Sequence, residues 1–193
     1  LVIATLDEHG NVQEVYGRKI LDNLRVGTPR HLYLKGGHKG VWNVEALASA
    51  KDVILCEAHI DALTFWCAGH RNVTTSYGAQ GFTEDHLAAF AKYGTQKVLI
   101  AYDRDEAGDK GAAAVAPRLA AAGIDVYRVL FPHEMDANEY ARAVHRGAAQ
   151  GGQVTPTSEA LGLLLRSAQF VLKGKRTTPP ASAPSIDVAA ASP

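Results

Sequence analysis

The feature that most limits what this chain can become is an alternation. Short apolar runs, Val53-Ile54-Leu55-Cys56, Val98-Leu99-Ile100-Ala101-Tyr102 and Val126 to Leu130, recur between segments of helical length. That alternation is the signature of a parallel sheet with crossover helices. The strand candidates are Asp52 to Cys56, Val73 to Ser76, Lys97 to Tyr102 and Val126 to Leu130; the helix candidates are Ile60 to Ala68, Glu84 to Tyr93, Gly108 to Ala122 and Asn138 to Arg146. Four βα units result. The pattern predicts an α/β fold with a parallel four-stranded sheet flanked by helices, in the common strand order 2-1-3-4.

The flanks read differently. Val2 to Thr5 and Val12 to Tyr16 surround the turn-forming Asp7-Glu8-His9-Gly10-Asn11, the pattern of a hairpin, and His31 to Lys35 supplies a further strand before Gly36-Gly37. Residues 1–50 are therefore expected to form a small mixed α+β subdomain, and residues 51–148 the main domain. Gly, Gln, Thr and Pro dominate residues 149–158, and Glu159 to Lys173 carries Leu161, Leu164, Leu165, Ala168 and Leu172 at roughly helical spacing; residues 149–173 thus read as a linker and docking helix. From residue 174 to 193 the Pro/Ala/Ser composition predicts a disordered tail. The chain opens on Leu1 and its only methionine is Met135, as expected of a fragment of a longer polypeptide.

The acids fall at the carboxyl ends of the strand candidates, where open parallel sheets bind ligands. Glu57 closes the first run, Asp103 and Asp105 close the third, and Asp136 follows the fourth after Phe131-Pro132. In the order 2-1-3-4 the first and third strands are central neighbours, so Glu57 and Asp103 come close and repel unless a cation joins them. Mg²⁺ suits such a site: it prefers oxygen ligands and is held by one or two carboxylates plus substrate phosphates. In Asp103-Arg104-Asp105 the two carboxylates share one face of an extended segment and can reach one metal region. Gly108 permits the tight strand-to-helix turn, and Asp109, in the first turn of the next helix, is at least as readily a helix-start acid as a ligand.

Charge and cysteine content bound the remaining options. Lys plus Arg and Asp plus Glu each count 20, so no overall basic field advertises a nucleic-acid partner, and any such binding must be local. A local excess exists: Arg18, Lys19, Arg25, Arg30, Lys35 and Lys39 face the single acid Asp22 between residues 18 and 39, enough to neutralise phosphates. Cys56 and Cys67 fit neither a disulfide framework nor a CxxC clip, which points to a reducing, cytoplasmic setting. No apolar run approaches the roughly 18 residues of a membrane span, so no membrane partner is expected.

Two segments around the acids carry a resemblance. Leu55-Cys56-Glu57-Ala58-His59-Ile60-Asp61-Ala62-Leu63 resembles the apolar strand, Glu-Gly, two residues and Asp of the Toprim domain, and Tyr102-Asp103-Arg104-Asp105-Glu106-Ala107-Gly108 resembles its DxD-x-Ala-Gly segment in bacterial DnaG-type primases. Phe131-Pro132-His133-Glu134-Met135-Asp136-Ala137-Asn138-Glu139 is similar to the Asp-Pro-Asp/Asn-Glu segment of the same family. Upstream, Tyr16-Gly17-Arg18, His31 to Lys35 and His38 to Asn43 resemble the segment that precedes Toprim in primase-like proteins of phages and mobile elements. Ala58 stands where the family usually has Gly.

The resemblance implies a Rossmann-like Toprim fold and a DNA primase activity: Mg²⁺-dependent attack of a 3′-hydroxyl on a nucleoside triphosphate along a single-stranded DNA template, with Mn²⁺ as a substitute metal. It assigns Glu57 and Asp61 to catalysis, Asp103, Asp105, Glu57 and Asp136 to the metal, and Asn138 to nucleotide or DNA; the local basic excess beside that acidic site adds Arg18, Lys19, Lys35 and Lys39 as nucleotide or DNA contacts. A replicative helicase or a mobile-element protein is a further expected partner. Two alternatives use the same residues: a Toprim nuclease, and a DNA-binding scaffold with a vestigial acidic site. His59, two residues past Glu57, is more readily a polar loop residue than a ligand, and Phe65 and Trp66 are expected to pack.

Overall fold

A computed structural model describes residues 1–21, 23–149 and 156–175. The expected linker at 150–155, the tail beyond 175 and Asp22 lie outside the described residues. The chain forms β1 (Val2–Leu6), β2 (Val12–Arg18), β3 (His31–Leu32), α1 (Glu45–Ser49), β4 (Asp52–Cys56), α2 (His59–Cys67), β5 (Val73–Thr75), α3 (Glu84–Tyr93), β6 (Lys97–Ala101), α4 (Glu106–Ala121), β7 (Asp125–Arg128), α5 (Ala137–Ala149), α6 (Thr157–Arg166) and β8 (Gln169–Leu172). No helix among the described residues is long and apolar enough to cross a membrane.

The main sheet has the order β5-β4-β6-β7-β8. Its first four strands are parallel, in the 2-1-3-4 arrangement expected. Side chains alternate across a strand, so each central run feeds two cores. Val53, Leu55, Val98, Ile100 and Val126 pack with Phe90, Val115 and Leu119 on the α3–α4 face. Ile54, Cys56, Leu99 and Ala101 pack with Ala62, Phe65, Ala137 and Leu161 on the opposite face. Coverage on both faces is why these runs are apolar at every position. Burying one such leucine or isoleucine contributes about 1.5–3 kcal/mol.

The sheet has five strands, not four. The helix expected over Glu159–Lys173 stops at Arg166, and Gln169–Leu172 instead pairs antiparallel with β7. The free edge of β7 offers backbone groups that a helix could not satisfy, and Phe170 sets its ring edge-on to Tyr127 at 5.5 Å. The four residues of β8 are otherwise exposed, which hides the strand from a burial pattern.

The amino-terminal sheet, in the order β1-β2-β3, is antiparallel. The Asp7 carboxylate shapes the hairpin turn by accepting from the His9 and Asn11 amides, both at 2.9 Å. Strand β3 is shorter than the run His31 to Lys35 because the Leu34 amide donates to the Glu14 carboxylate at 3.0 Å rather than to a neighbouring strand. This sheet docks on the main domain through named contacts. Tyr16 stacks on His59 at 4.8 Å, the Gly40 amide donates to Asp85 at 2.7 Å, and the Tyr77 hydroxyl reaches the Lys39 and Gly40 carbonyls at 2.8 and 2.9 Å.

Candidate functional site

The acids converge at the carboxyl ends of β4 and β6. Glu57 follows β4 directly, and Ala58 is the N-cap of α2 at φ −126° and ψ 161°. That is extended backbone which any residue adopts, so alanine in place of glycine costs nothing there. Asp61 lies in the first turn of α2 and is only 3% exposed. Asp103 and Asp105 follow β6, and Asp136 immediately precedes α5.

Backbone hydrogen bonds weld the two loops that carry Asp103 and Asp136. The Arg104 amide donates to the Met135 carbonyl and the Glu134 amide to the Arg104 carbonyl, both at 3.0 Å. With the loops joined, carboxylate oxygens of Asp61, Asp103 and Asp136 lie within 4.8 Å of one another. Asn138 supports this group from α5: its amide donates to Asp61 Oδ1 at 3.3 Å and its side-chain Nδ2 to Thr64 Oγ1 at 3.1 Å.

The other acids have divided duties. One Asp105 oxygen caps α4 by accepting from the Gly108 amide at 2.7 Å. Gly108 is required for this turn, since a Cβ there would stand 2.3 Å from the Asp103 carbonyl oxygen. Asp136 likewise accepts from the Glu139 amide at 2.6 Å, at the start of α5. Asp109 pairs with Arg128 at 2.9 Å and with Arg104 at 3.7 Å, so its carboxylate is spent on cations inside the fold.

Among the described residues, two carboxylate oxygens are buried without a hydrogen-bond partner, Glu57 Oε2 and Asp103 Oδ1, although the Asp103 and Ala79 backbones still hydrogen-bond the Glu57 carboxyl group. A buried anion without a donor is costly, and proton affinity registers the cost. Burial, then the charges of Glu57 and Asp136, push the Asp103 carboxyl up to about 7. Burial and the charge of Asp105 raise Glu57, and burial with the charges of Asp136 and Asp103 puts Asp61 well above the usual carboxylate range. A hard divalent cation answers this arrangement. Mg²⁺ binds oxygens at about 2.0–2.1 Å, which places ligands on one ion about 3–4 Å apart, within a small side-chain adjustment of the group seen. The donor set is oxygen alone, with no cysteine or histidine in the group.

The remaining residues singled out from sequence fall elsewhere. Arg18 closes β2 and lies 3.5 Å from the Tyr16 hydroxyl, while Lys19, Lys35 and Lys39 are exposed. None of these four forms an ion pair with another described residue. His59 is a buried helix residue stacked on Tyr16, its pKa depressed by burial to about 4. Phe65 is core, whereas Trp66 is 38% exposed beneath the Arg71 guanidinium, 3.4 Å from the ring centre. Sequence reasoning passed over Arg128. It ends β7 two residues after core-facing Val126, and a cation on a core-facing strand position was the available signal.

The Toprim-like family matches residues 54–141, the segment that contains every acid of the site. The DNA primase of Aquifex aeolicus is 31% identical over 148 residues, covering 74% of this chain and 29% of that protein. The crystal structure of the zinc-binding and RNA polymerase domains of the Aquifex aeolicus primase superposes with a TM-score of 0.69 at 26% identity, covering 88% of this chain and 40% of that one. A DnaG primase catalytic domain bound to single-stranded DNA shares the fold, with a TM-score of 0.66 at 20% identity over 88% of this chain and 51% of its own. The chain therefore spans well under two thirds of the proteins it matches. Fold, acid placement and these relatives agree: the chain carries a Toprim domain of the kind found in DnaG-type DNA primases.

Proposed function

We propose that this chain is part of the catalytic core of a DNA primase, joining ribonucleotides on a single-stranded DNA template. The observation that carries the reading is the pair of buried, partnerless oxygens on Glu57 and Asp103 beside the Asp61–Asp103–Asp136 group. Asp61, Asp103 and Asp136 would hold a Mg²⁺ ion, with Mn²⁺ able to replace it, and the free oxygen of Asp105 is available to the same region. Bound there, a divalent metal would neutralise phosphate charge on the nucleoside triphosphate and on the leaving pyrophosphate.

The chain's own residues supply the rest. Glu57, with proton affinity raised by burial and by Asp105, is suited to take the proton from the attacking 3′-hydroxyl. Asp61 stands one turn along α2 and joins catalysis as a ligand rather than as a second base, since Asn138 fixes its carboxylate toward Asp103 and Asp136. Asn138 thus acts through Asp61. Arg18, Lys19, Lys35 and Lys39, on residues 1–50, are cations free to meet the phosphates of template or nucleotide, and residues 51–148 are the catalytic domain. The single-stranded DNA in the DnaG neighbour supports that choice of template. A helicase or mobile-element protein would bind outside this centre.

Template-directed ribonucleotide incorporation with Mg²⁺ or Mn²⁺ tests the reading. Asp103→Asn and Glu57→Gln are each expected to lose at least about 100-fold in rate, the scale of a positioned acid–base group. Synthesis unchanged in both would refute it. Strand cleavage without nucleotides would indicate a nuclease, and DNA binding without metal affinity a scaffold.

A further inference from the structure

Arg128 is 8% exposed. Its Nη1 donates to the Tyr102 carbonyl at 2.8 Å and lies 3.3 and 3.2 Å from those of Ile100 and Val129. Its Nη2 donates to the Asp103 carbonyl and to Asp109 Oδ1, both at 2.9 Å. Strand β6 ends at Ala101, and its ladder with β7 ends at the Ile100–Arg128 pair. The carbonyls of Tyr102 and Asp103 therefore project past the sheet, and the guanidinium takes the place of the strand that has stopped.

The Asp103 peptide is also held by α4, whose Gly108 lies so close that a Cβ would be 2.3 Å from the Asp103 carbonyl oxygen. Clamped between Gly108 and Arg128, that peptide has no freedom to turn, and the direction of the Asp103 side chain follows from it. Asp109 balances the guanidinium charge. The cation thus acts on the backbone of the metal-ligand candidate while leaving the carboxylates themselves unpaired.

We propose that Arg128 is the positioning residue of the acidic centre: by fixing the Asp103 peptide it aims the Asp103 carboxylate at Asp61 and Asp136 and so sets the affinity for the divalent cation. The proposal rests on the metal reading above. Lysine cannot replace it, because a single ammonium does not span two backbone carbonyls and a carboxylate in the way a planar fork does.

The test uses the full chain with Arg128→Lys and Arg128→Met, without nucleotide or DNA. Mn²⁺ binding is followed by electron paramagnetic resonance, and amide hydrogen exchange is recorded on the metal-free protein. Outer-shell partners of metal ligands typically govern affinity by about 10- to 100-fold, and a loss of that size is expected in both variants, with no rescue by lysine. The Gly108 and Asp109 amides, which bond to Asp105, should exchange faster, while those of α3 should not change. If Arg128→Met fails to fold, the lysine variant decides. A folded lysine variant with wild-type Mn²⁺ affinity and wild-type exchange overturns the proposal. If the wild-type chain binds no Mn²⁺, the metal reading falls and exchange alone judges Arg128: faster exchange at Gly108 and Asp109 upholds the clamp, and unchanged exchange removes it.

Discussion

The two ends of the same parallel sheet treat acids in opposite ways. At the amino ends, Asp52 pairs with Lys97 at 2.5 Å, and Asp125 accepts from Lys173 at 2.8 Å and from the Gly174 amide at 2.9 Å. At the carboxyl ends, Glu57, Asp61, Asp103, Asp105 and Asp136 gather, and among the described residues none of them forms an ion pair with a lysine or arginine. The cations nearby, Arg104 and Arg128, are paired with Asp109 instead. One end is neutralised within the chain; the other is left in electrostatic debt. Charge conflicts of this kind cluster at functional sites, and the asymmetry marks the carboxyl end as the candidate working end of the sheet.

The largest expected effect separates the two ends by metal affinity. Calorimetric titration with Mg²⁺ should show binding lost in Asp103→Asn and retained within about twofold in Asp52→Asn, because an exposed pair such as Asp52–Lys97 contributes only about 0–1 kcal/mol to stability and touches no ligand. Equal loss in both would erase the distinction between the ends.

Next in size is a pH effect at the acidic end. With the metal-free Asp103 carboxyl at about 7, metal must displace a proton below that pH. Mg²⁺ affinity should fall by up to about tenfold per pH unit below 7 and level off above it. Affinity flat from pH 6 to 8 would mean that Asp103 ionises freely without metal.

The smallest effect is on stability without metal, and here raised acids oppose depressed histidines. Asp103 has a folded pKa of about 7 against 3.8 for the free side chain, so the folded state binds the extra proton between those values and stability falls as pH rises through that window. His86 is buried, its Nδ1 accepting from the Thr83 amide at 3.1 Å and its Nε2 meeting the Thr75 carbonyl at 3.0 Å; burial lowers its pKa from 6.5 to about 4. There the unfolded state binds the extra proton, so stability rises as pH rises from about 4 to 6.5. His59 acts with His86, and Asp61 and Glu57 act with Asp103, so urea unfolding of the wild type should vary less with pH than either set alone would dictate. Asp103→Asn should gain about 1 kcal/mol at pH 7, a figure reduced for the half-buried carboxyl's exposure to solvent, and should lose stability on acidification. A variant no more stable than wild type at pH 7 would mean that the acids are not in conflict.

Much of this was legible in the residues. The runs at 53–56 and 98–102 announce central parallel strands because both faces of each are buried, and Glu57, Asp103 and Asp136 could be placed at strand ends by counting. What could not be read is which acids meet. The spacing from Glu57 to Asp61 is visible, but Asp61 meets Asp103 and Asp136 through a loop-to-loop weld that leaves no spacing in the sequence. Asp105, by its position in a DxD, looks equivalent to Asp103, yet one of its oxygens is taken by a helix amide. Strand β8 escaped because its neighbours' leucines continue a helical spacing and its own side chains are exposed.

The weld between the loops has a consequence for how such a centre survives sequence drift. Both of its bonds run from backbone to backbone, Arg104 to Met135 and Glu134 to Arg104. Exchange of most side chains in the two loops leaves them intact; a proline at position 104 or 134 removes a donor, and Glu134, at φ 59°, is a poor place for a β-branched residue. The spacing of Asp103 and Asp136 is therefore inherited from the path of the main chain, and the surrounding residues are at liberty to change while the two acids stay in register.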